Sequence, residues 1–177
     1  MMICIARFNR YLSVALVLLL VVAAGCQSSE KKKKEKEQTI VELYQEVTPD
    51  GVSATESVPI YRQSPVYVNV DKEPFLDSAD LTGAKLLSDM GGFVIQLSFN
   101  WRGTQVLYSI TTANRGKRVA VKCKFVGENR WLASPVINRP ISDGVLTFTP
   151  DATREEAERI VKGLNLVAEE LKKKDKL

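Results

Sequence analysis

Histidine is absent from all 177 residues. The commonest metal ligand and the commonest general base at neutral pH are therefore missing. Cysteine is nearly as scarce: of the three, Cys4 and Cys26 lie near the amino end, leaving Cys123 alone in the body of the chain. That count excludes an intramolecular disulfide there, and a zinc site of cysteine and histidine with it. A strong charge of one sign is also lacking, with 25 Lys and Arg against 21 Asp and Glu. The lysine-rich blocks sit at the two ends, so the clustered basic excess that binds nucleic acid is not present. After Gly25 no apolar run approaches the roughly 20 residues that a bilayer-spanning helix needs.

What is there begins with a leader. Arg7 and Arg10 come before any acid, the first being Glu30. An apolar stretch follows from Ser13 to Gly25, too short for a spanning helix, and Ala23-Ala24-Gly25 runs straight into Cys26. Basic, apolar and small segments in that order read as a secretory signal peptide. The small-small-Cys ending resembles the lipobox of bacterial lipoproteins, with Ala23 where Leu is more usual. The resemblance implies cleavage between Gly25 and Cys26, a diacylglyceryl thioether on Cys26 and an acylated amino terminus. The alternative is an uncleaved N-terminal anchor with an incidental cysteine. Each buried methylene adds about 0.8 kcal/mol, so two or more acyl chains hold a membrane where one barely does. The expected place is the cell envelope, facing the periplasm. Gln27 rather than Asp after the cysteine favours the outer membrane, by the rule known in enterobacteria.

Removing the first 25 of 177 residues leaves 152, enough for one ordinary domain and a tether. Without Arg7 and Arg10 the charge balance is 23 against 21, close to neutral. The expected division is a signal peptide at 1–25, a lipidated charged linker at 26–38 and a single domain at 39–177. Residues 27–38, QSSEKKKKEKEQ, carry no apolar side chain and read as a solvated leash. Contact of its lysines with anionic headgroups is the other reading.

From Thr39 the pattern turns globular. TIVELYQEV alternates as a strand, and VPIYRQSPVYVNV reads as two short extended pieces. Pro59 and Pro65 punctuate them and suit an edge, since proline has no ladder donor. In Asp77–Asp89, Leu81, Ala84 and Leu87 stand at near-helical spacing, which predicts one or two helical turns. Phe93, Ile95, Leu97 and Phe99 share one face of a strand that Gly103 breaks. Val106, Leu107, Ile110 and Ala113 form a helical stripe that Gly116 stops, with Arg115, Lys117 and Arg118 suiting its C-terminal dipole. Val119, Val121, Cys123 and Phe125 line another strand, GENR makes a turn, and WLASPVI is extended. Asp143-Gly144 reads as a hairpin turn before the last strand, VLTFT. Thr153 and Glu156 form a capping box ahead of a closing helix, whose stripe is Ala157, Ile160, Val161, Leu164, Ala168 and Leu171. The fold class is α+β: a mostly antiparallel sheet with two or three helices packed on one face.

Landmarks recur in order along this span. They are Glu73-Pro74-Phe75-Leu76, the strand ending at Phe99, Gly103, Thr111 and Gly116-Lys117. Ser134-Pro135-Val136-Ile137, Ile141, Gly144, Glu156-Ala157 and Leu164-Asn165 follow. Together they make Val58–Leu171 resemble the head part of the first periplasmic domain of SecD, an accessory subunit of the Sec protein-export machinery. The resemblance implies a domain that contacts emerging preprotein and changes angle through the transport cycle. SecD also carries membrane helices whose charged residues couple it to the proton gradient. Here nothing after Gly25 spans a bilayer and the chain closes on a lysine-rich tail, so a proton-driven role is not expected.

The remaining constellations favour bland roles. Asp77 with Asp80 and Glu155 with Glu156 are acid pairs, but the second opens a helix, where negative charge is stabilised anyway. Ser88, Ser98, Ser109 and Ser134 have no histidine to activate them. Trp101 and Trp131 are expected to cap a core rather than stack a ligand, and Cys123 to be a small buried hydrophobe rather than a redox thiol. The expectation is therefore no catalytic residue, no cofactor and no metal, with Cys26 as the lipid-anchor residue. The expected partners are a membrane, through the lipid, and unfolded secretory polypeptide or the Sec machinery, without nucleic acid. A structural envelope lipoprotein that binds peptidoglycan or another lipoprotein is the first alternative, and an enzyme is the second. An open sheet edge beside an apolar groove would favour peptide binding, whereas a deep polar pocket with convergent acids would favour the enzyme.

Overall fold

The computed structural model describes residues 38–51, 54–125 and 127–174. The leader at 1–25, Cys26 and the leash as far as residue 37 lie outside the described residues, as does the end of the lysine-rich tail at 175–177. The elements run β1 (Thr39–Gln45), β2 (Thr55–Ile60), β3 (Val66–Asp71) and β4 (Leu76–Asp77), then a 3-10 turn (Ser78–Asp80). β5 (Leu81–Asp89), β6 (Gly92–Phe99), α1 (Trp101–Ala113), β7 (Val119–Phe125), β8 (Glu128–Ala133), β9 (Val145–Phe148) and α2 (Arg154–Lys174) complete them. The fold is α+β, and every strand pairing is antiparallel. Among the described residues the strands form three sheets, in the orders β4-β1-β7-β8, β2-β3 and β5-β6-β9.

The core follows from alternation. Val41 and Leu43 of β1 and Val119, Val121, Cys123 and Phe125 of β7 point to one side, where they meet Ile95, Leu97 and Phe99 of β6. The stripe of α2, Ala157, Ile160 and Leu164, closes this core, joined by Leu107 of α1. Cys123 is 1% exposed and unpaired, and burial pushes its thiol up to about 12. The capping box forms as read: Glu156 N–H donates to Thr153 Oγ1 at 3.2 Å and Thr153 N–H to Glu156 Oε2 at 2.9 Å. Among the described residues no helix is long and apolar enough to cross a membrane.

Four local expectations need correction. The near-helical spacing after Asp77 belongs to a strand, because the 3-10 turn ends at Asp80 and β5 begins at Leu81. A β-bulge between Leu81 and Gly83 inserts one residue, so Leu81 and Ala84 face inward three positions apart, as they would on a helix. Leu87 then turns outward, 38% exposed, and Leu86 packs on the core instead. Asp143-Gly144 is a turn, with Val145 N–H donating to Asp143 Oδ1 at 3.1 Å, but it makes no hairpin, since β9 pairs with β6 rather than β8. Trp101 is 79% exposed and caps nothing.

The fourth is Gly103, which lies inside the first turn of α1 and does not break the chain before it. Asn100 caps that helix, accepting from Gly103 N–H at 2.8 Å. Beneath the turn sits the Asp80 carboxylate, 3% exposed. It is gripped by the Arg102 fork (2.9 and 2.7 Å) and by Asn100 Nδ2 (3.1 Å). A Cβ on residue 103 would meet the Cβ atoms of both Asp80 and Phe99 at 2.9 Å, a contact that only backbone movement can relieve. Gly103→Ala should therefore destabilise by about 1–3 kcal/mol through overpacking, although alanine is the better helix former by about 1 kcal/mol. Urea unfolding should show a lower midpoint at unchanged slope, and an unchanged or raised midpoint would contradict the packing argument.

Candidate functional site

The side of the β1/β7 pair away from the core carries Glu42, Tyr44, Ala120, Lys122 and Lys124. Tyr44 and Ala120 give it an apolar centre, and the β2-β3 hairpin seats there. Val58 and Ile60 of β2, with Val68 and Val70 of β3, share one face by alternation and bury against Tyr44 and Ala120. Trp131 of β8 completes the seat, edge-on to Tyr44 with ring centroids 5.0 Å apart. Lys122 Nζ lies 5.6 Å from the Tyr44 centroid and 5.2 Å from that of Trp131. Burial, together with a proton donated to Glu42 at 2.9 Å, holds the Tyr44 phenol well above its ordinary value. Burial also pushes Glu42 upward, but the bonds from Lys124 and Tyr44 and the charge of Lys122 outweigh it, so that its carboxyl sits low.

Where β2 ends the chain turns sharply. Tyr61 adopts φ 71°, a left-handed conformation that a bulky non-glycine residue rarely holds. Its ring packs on the hairpin seat, and the next residue is clamped. Arg62 N–H donates to Asp151 Oδ2 at 2.9 Å, and its guanidinium reaches Asp151 and Glu156, both at 3.3 Å. Arg130 of β8 approaches the same two residues, donating to Asp151 O at 3.2 Å and lying 3.5 Å from Glu156. Two arginines thus clip the hairpin tip and β8 to the start of α2. The Thr153 N–H bond, helped by both arginines against the cost of burial, holds the Glu156 carboxyl below the usual carboxylate range.

Between the hairpin tip and the edge of β8 lies an open cleft of about 360 Å³. Pro59, Tyr61, Pro65 and Trp131 line it with rings, and Arg62, Asn129, Arg130 and Asp151 supply its polar groups. Its arginines are neutralised in place by Asp151 and Glu156, so the cleft offers flat apolar surface without a net demand for charge. Of the residues singled out from sequence, Trp131 is in the cleft, while Trp101, Ser88, Ser98 and the Asp77/Asp80 pair do not line it. Asp77 caps the 3-10 turn, accepting from Ala79 N–H at 2.7 Å, and Asp80 is spent on Arg102. Glu155 and Glu156 divide, the second entering the arginine clip. Tyr61, Arg62 and Asp151 were not anticipated. The usable signals were two prolines flanking a Tyr-Arg pair and an acid just ahead of a helix cap.

The family model described as SecDF, P1 head subdomain, matches residues 54–168, from β2 to the last turns of α2. The protein translocase subunit SecD of Acetobacter pasteurianus is 37% identical over 82 residues, covering 45% of this chain and 14% of the relative. SecD of Rickettsia prowazekii is 33% identical over 95 residues, covering 53% of this chain and 18% of the relative. The chain thus spans less than a fifth of the curated relatives it matches. Among solved structures, SecDF, a membrane component that enhances protein export, superposes with a TM-score of 0.54 at 20% identity. That match covers 80% of this chain and 68% of the other. SecDF in its super-membrane-facing form gives a TM-score of 0.54 at 21% identity, covering 80% and 20%. At such identities the superpositions speak for the fold alone.

The arginine clip separates two substitutions. Glu156→Gln keeps an acceptor for Thr153 N–H but removes the charge that Arg62 and Arg130 share, whereas Glu156→Ala removes both. Alanine should be the more destabilising by about 1 kcal/mol, the usual worth of a cap. The pH dependence has a definite sign. Because the carboxyl is depressed in the folded state, its stabilisation is present above the unfolded-state value of about 4.3. It is lost as pH falls through the folded-state value. The melting temperature should decline on acidification below that range, and less steeply in Glu156→Gln. Parallel acid profiles for wild type and variant would exclude this role.

Proposed function

This chain belongs to the SecDF P1 head subdomain family, and on that footing we propose that it is a non-catalytic binding protein of the bacterial envelope, linked to protein export. In this reading Cys26 carries the lipid that holds it to a membrane, the outer one by the Gln27 rule, with the domain facing the periplasm. The domain holds extended, unfolded secretory polypeptide, or docks it against the export machinery.

The observation that carries the reading is the cleft between the hairpin tip and β8. At about 360 Å³ it falls at the lower end of the roughly 300–1,000 Å³ typical of ligand sites. It accommodates a few side chains of an extended segment rather than a folded surface. Proline, tyrosine and tryptophan rings give large, rigid apolar contact at low entropy cost. Neutralised arginines leave the site tolerant of sequence, which suits a client that differs from one encounter to the next. Affinity of the micromolar class, about 8 kcal/mol, would allow the client to move on.

Two measurements test the reading. Titrating the mature protein with a labelled unfolded secretory protein should give weak saturable binding, with none to the folded form. Trp131→Ala should weaken binding about tenfold, equivalent to about 1.4 kcal/mol, and Trp101→Ala should leave it unchanged. Indifference to the unfolded protein, or equal effects of the two tryptophans, would remove the binding role while leaving family membership intact. For the anchor, radiolabelled fatty acid should enter the wild type, whereas Cys26→Ser should accumulate as an unlabelled precursor. Equal labelling would rule out Cys26 as the lipid site.

A further inference from the structure

β5 lies on the outside of the β5-β6-β9 sheet, and an open edge is a template for another strand. Its first half is covered from α2. Ala84 N–H donates to Asn165 Oδ1 at 2.8 Å, and Asn165 Nδ2 returns a bond to Ala84 O at 3.0 Å. One side-chain amide therefore takes the place of a neighbouring peptide. Lys172 Nζ reaches Thr82 O at 2.9 Å. Beyond Ala84 the second half of β5 runs on toward the Met90-Gly91 turn with Lys85, Leu87, Ser88 and Asp89 exposed.

The direction of the free groups follows from Ala84. Its N–H and C=O both point to the edge, so by alternation those of Leu86 and Ser88 do as well, while Lys85, Leu87 and Asp89 bond inward to β6. Among the described residues no strand pairs with this side. Lys85, Leu87 and Asp89 share one face, with a cation and an anion equally spaced about the leucine.

That arrangement is self-complementary. If a second β5 runs antiparallel with Leu87 opposite Leu87, Leu86 falls opposite Ser88 and exchanges both backbone hydrogen bonds, and Ser88 does the same with Leu86. Lys85 then faces Asp89 of the other copy, twice. Two Leu87 side chains meet on the axis between two ion pairs, as an isologous contact requires. Any other in-phase register loses the charge match. We propose that the exposed half of β5 is a homodimerisation edge, pairing with a second copy of this chain about a two-fold axis at Leu87. Asn165 then acts as the stop that sets where the pairing ends.

Cysteine cross-linking of the full chain in its native membranes tests this. Opposed residues on a non-hydrogen-bonded antiparallel site lie about 4.5 Å apart at Cα, within the about 4.4–6.8 Å range of a disulfide. Leu87→Cys should therefore give a covalent dimer on mild oxidation, and the unsubstituted chain should not. Met90→Cys, at a more exposed position, should not either, because the two copies of residue 90 would stand about 20 Å apart at the usual rise per residue. Added to Leu87→Cys, either Lys85→Asp or Asp89→Lys should lower the yield about tenfold as two attractions become repulsions. Co-expressing the two reversed chains should restore it as a heterodimer. Equal cross-linking at 87 and 90, yields insensitive to charge reversal, or adducts with other polypeptides in place of the dimer would each overturn the proposal. Unchanged melting temperatures for these surface variants would show that any lost yield is not lost folding.

Discussion

The seven-residue pairing of β1 with β7, from Thr39 opposite Phe125 to Gln45 opposite Val119, is the constraint on which everything else rests. A strand has two faces, so one register assigns two surfaces at once. On one side Val41, Leu43, Val121 and Cys123 meet α2 and the three-stranded sheet, and this is the main core. On the other, Tyr44 and Ala120 form the bed of the hairpin. A slip of β1 by one residue would exchange its faces, placing Glu42 in the core and taking Tyr44 out of the hairpin's seat. β1 lies ahead of the residues 54–168 that match the family, yet it sits between β4 and β7 in the sheet order.

Irregularities in two strands shape the cleft and the β5 edge. In β8 the register shifts between Val121 and Lys122, so that Leu132 and Ala133 are buried in succession. Trp131, opposite Lys122, is thereby turned to the hairpin side. In β5 a bulge lets Leu81 and Ala84 share the core and swings Leu87 outward. A bulge costs one unpaired residue and re-aims every side chain beyond it. One such shift helps to wall the cleft and the other arms the edge.

The charged residues divide the work between rigidity and shape. Asp80, nearly buried, is satisfied by a bidentate arginine and an asparagine, the condition under which a buried carboxylate is tolerated. Glu156 serves a helix cap and two arginines, drawing together the hairpin tip, β8 and the start of α2. These contacts contribute less through net stability, which partly exposed ion pairs rarely supply, than by holding Tyr61 in an unfavourable backbone conformation at the mouth of the cleft.

Much of the fold was legible in order. β1, β6, β7, β9 and the capped closing helix follow from periodicity and capping chemistry, both local properties carried by neighbouring residues. The inward position of Cys123 followed from the same alternation. The bulge in β5 was not legible, because an inserted residue mimics helical spacing, and only the partner strand reveals the true period. Nor could the pattern say that β9 joins β6 instead of β8, that two prolines and Tyr61 would face Trp131, or that Asp151 would meet Arg62. Those residues lie far apart along the chain, and long-range pairing is chosen by the packing of whole faces. Neighbouring residues along the chain dictated most of the burial pattern, Leu87 and Trp101 apart, and the local conformation outside β5. Tertiary structure alone decided which buried faces met, and the cleft and the open edge exist where that meeting left a margin.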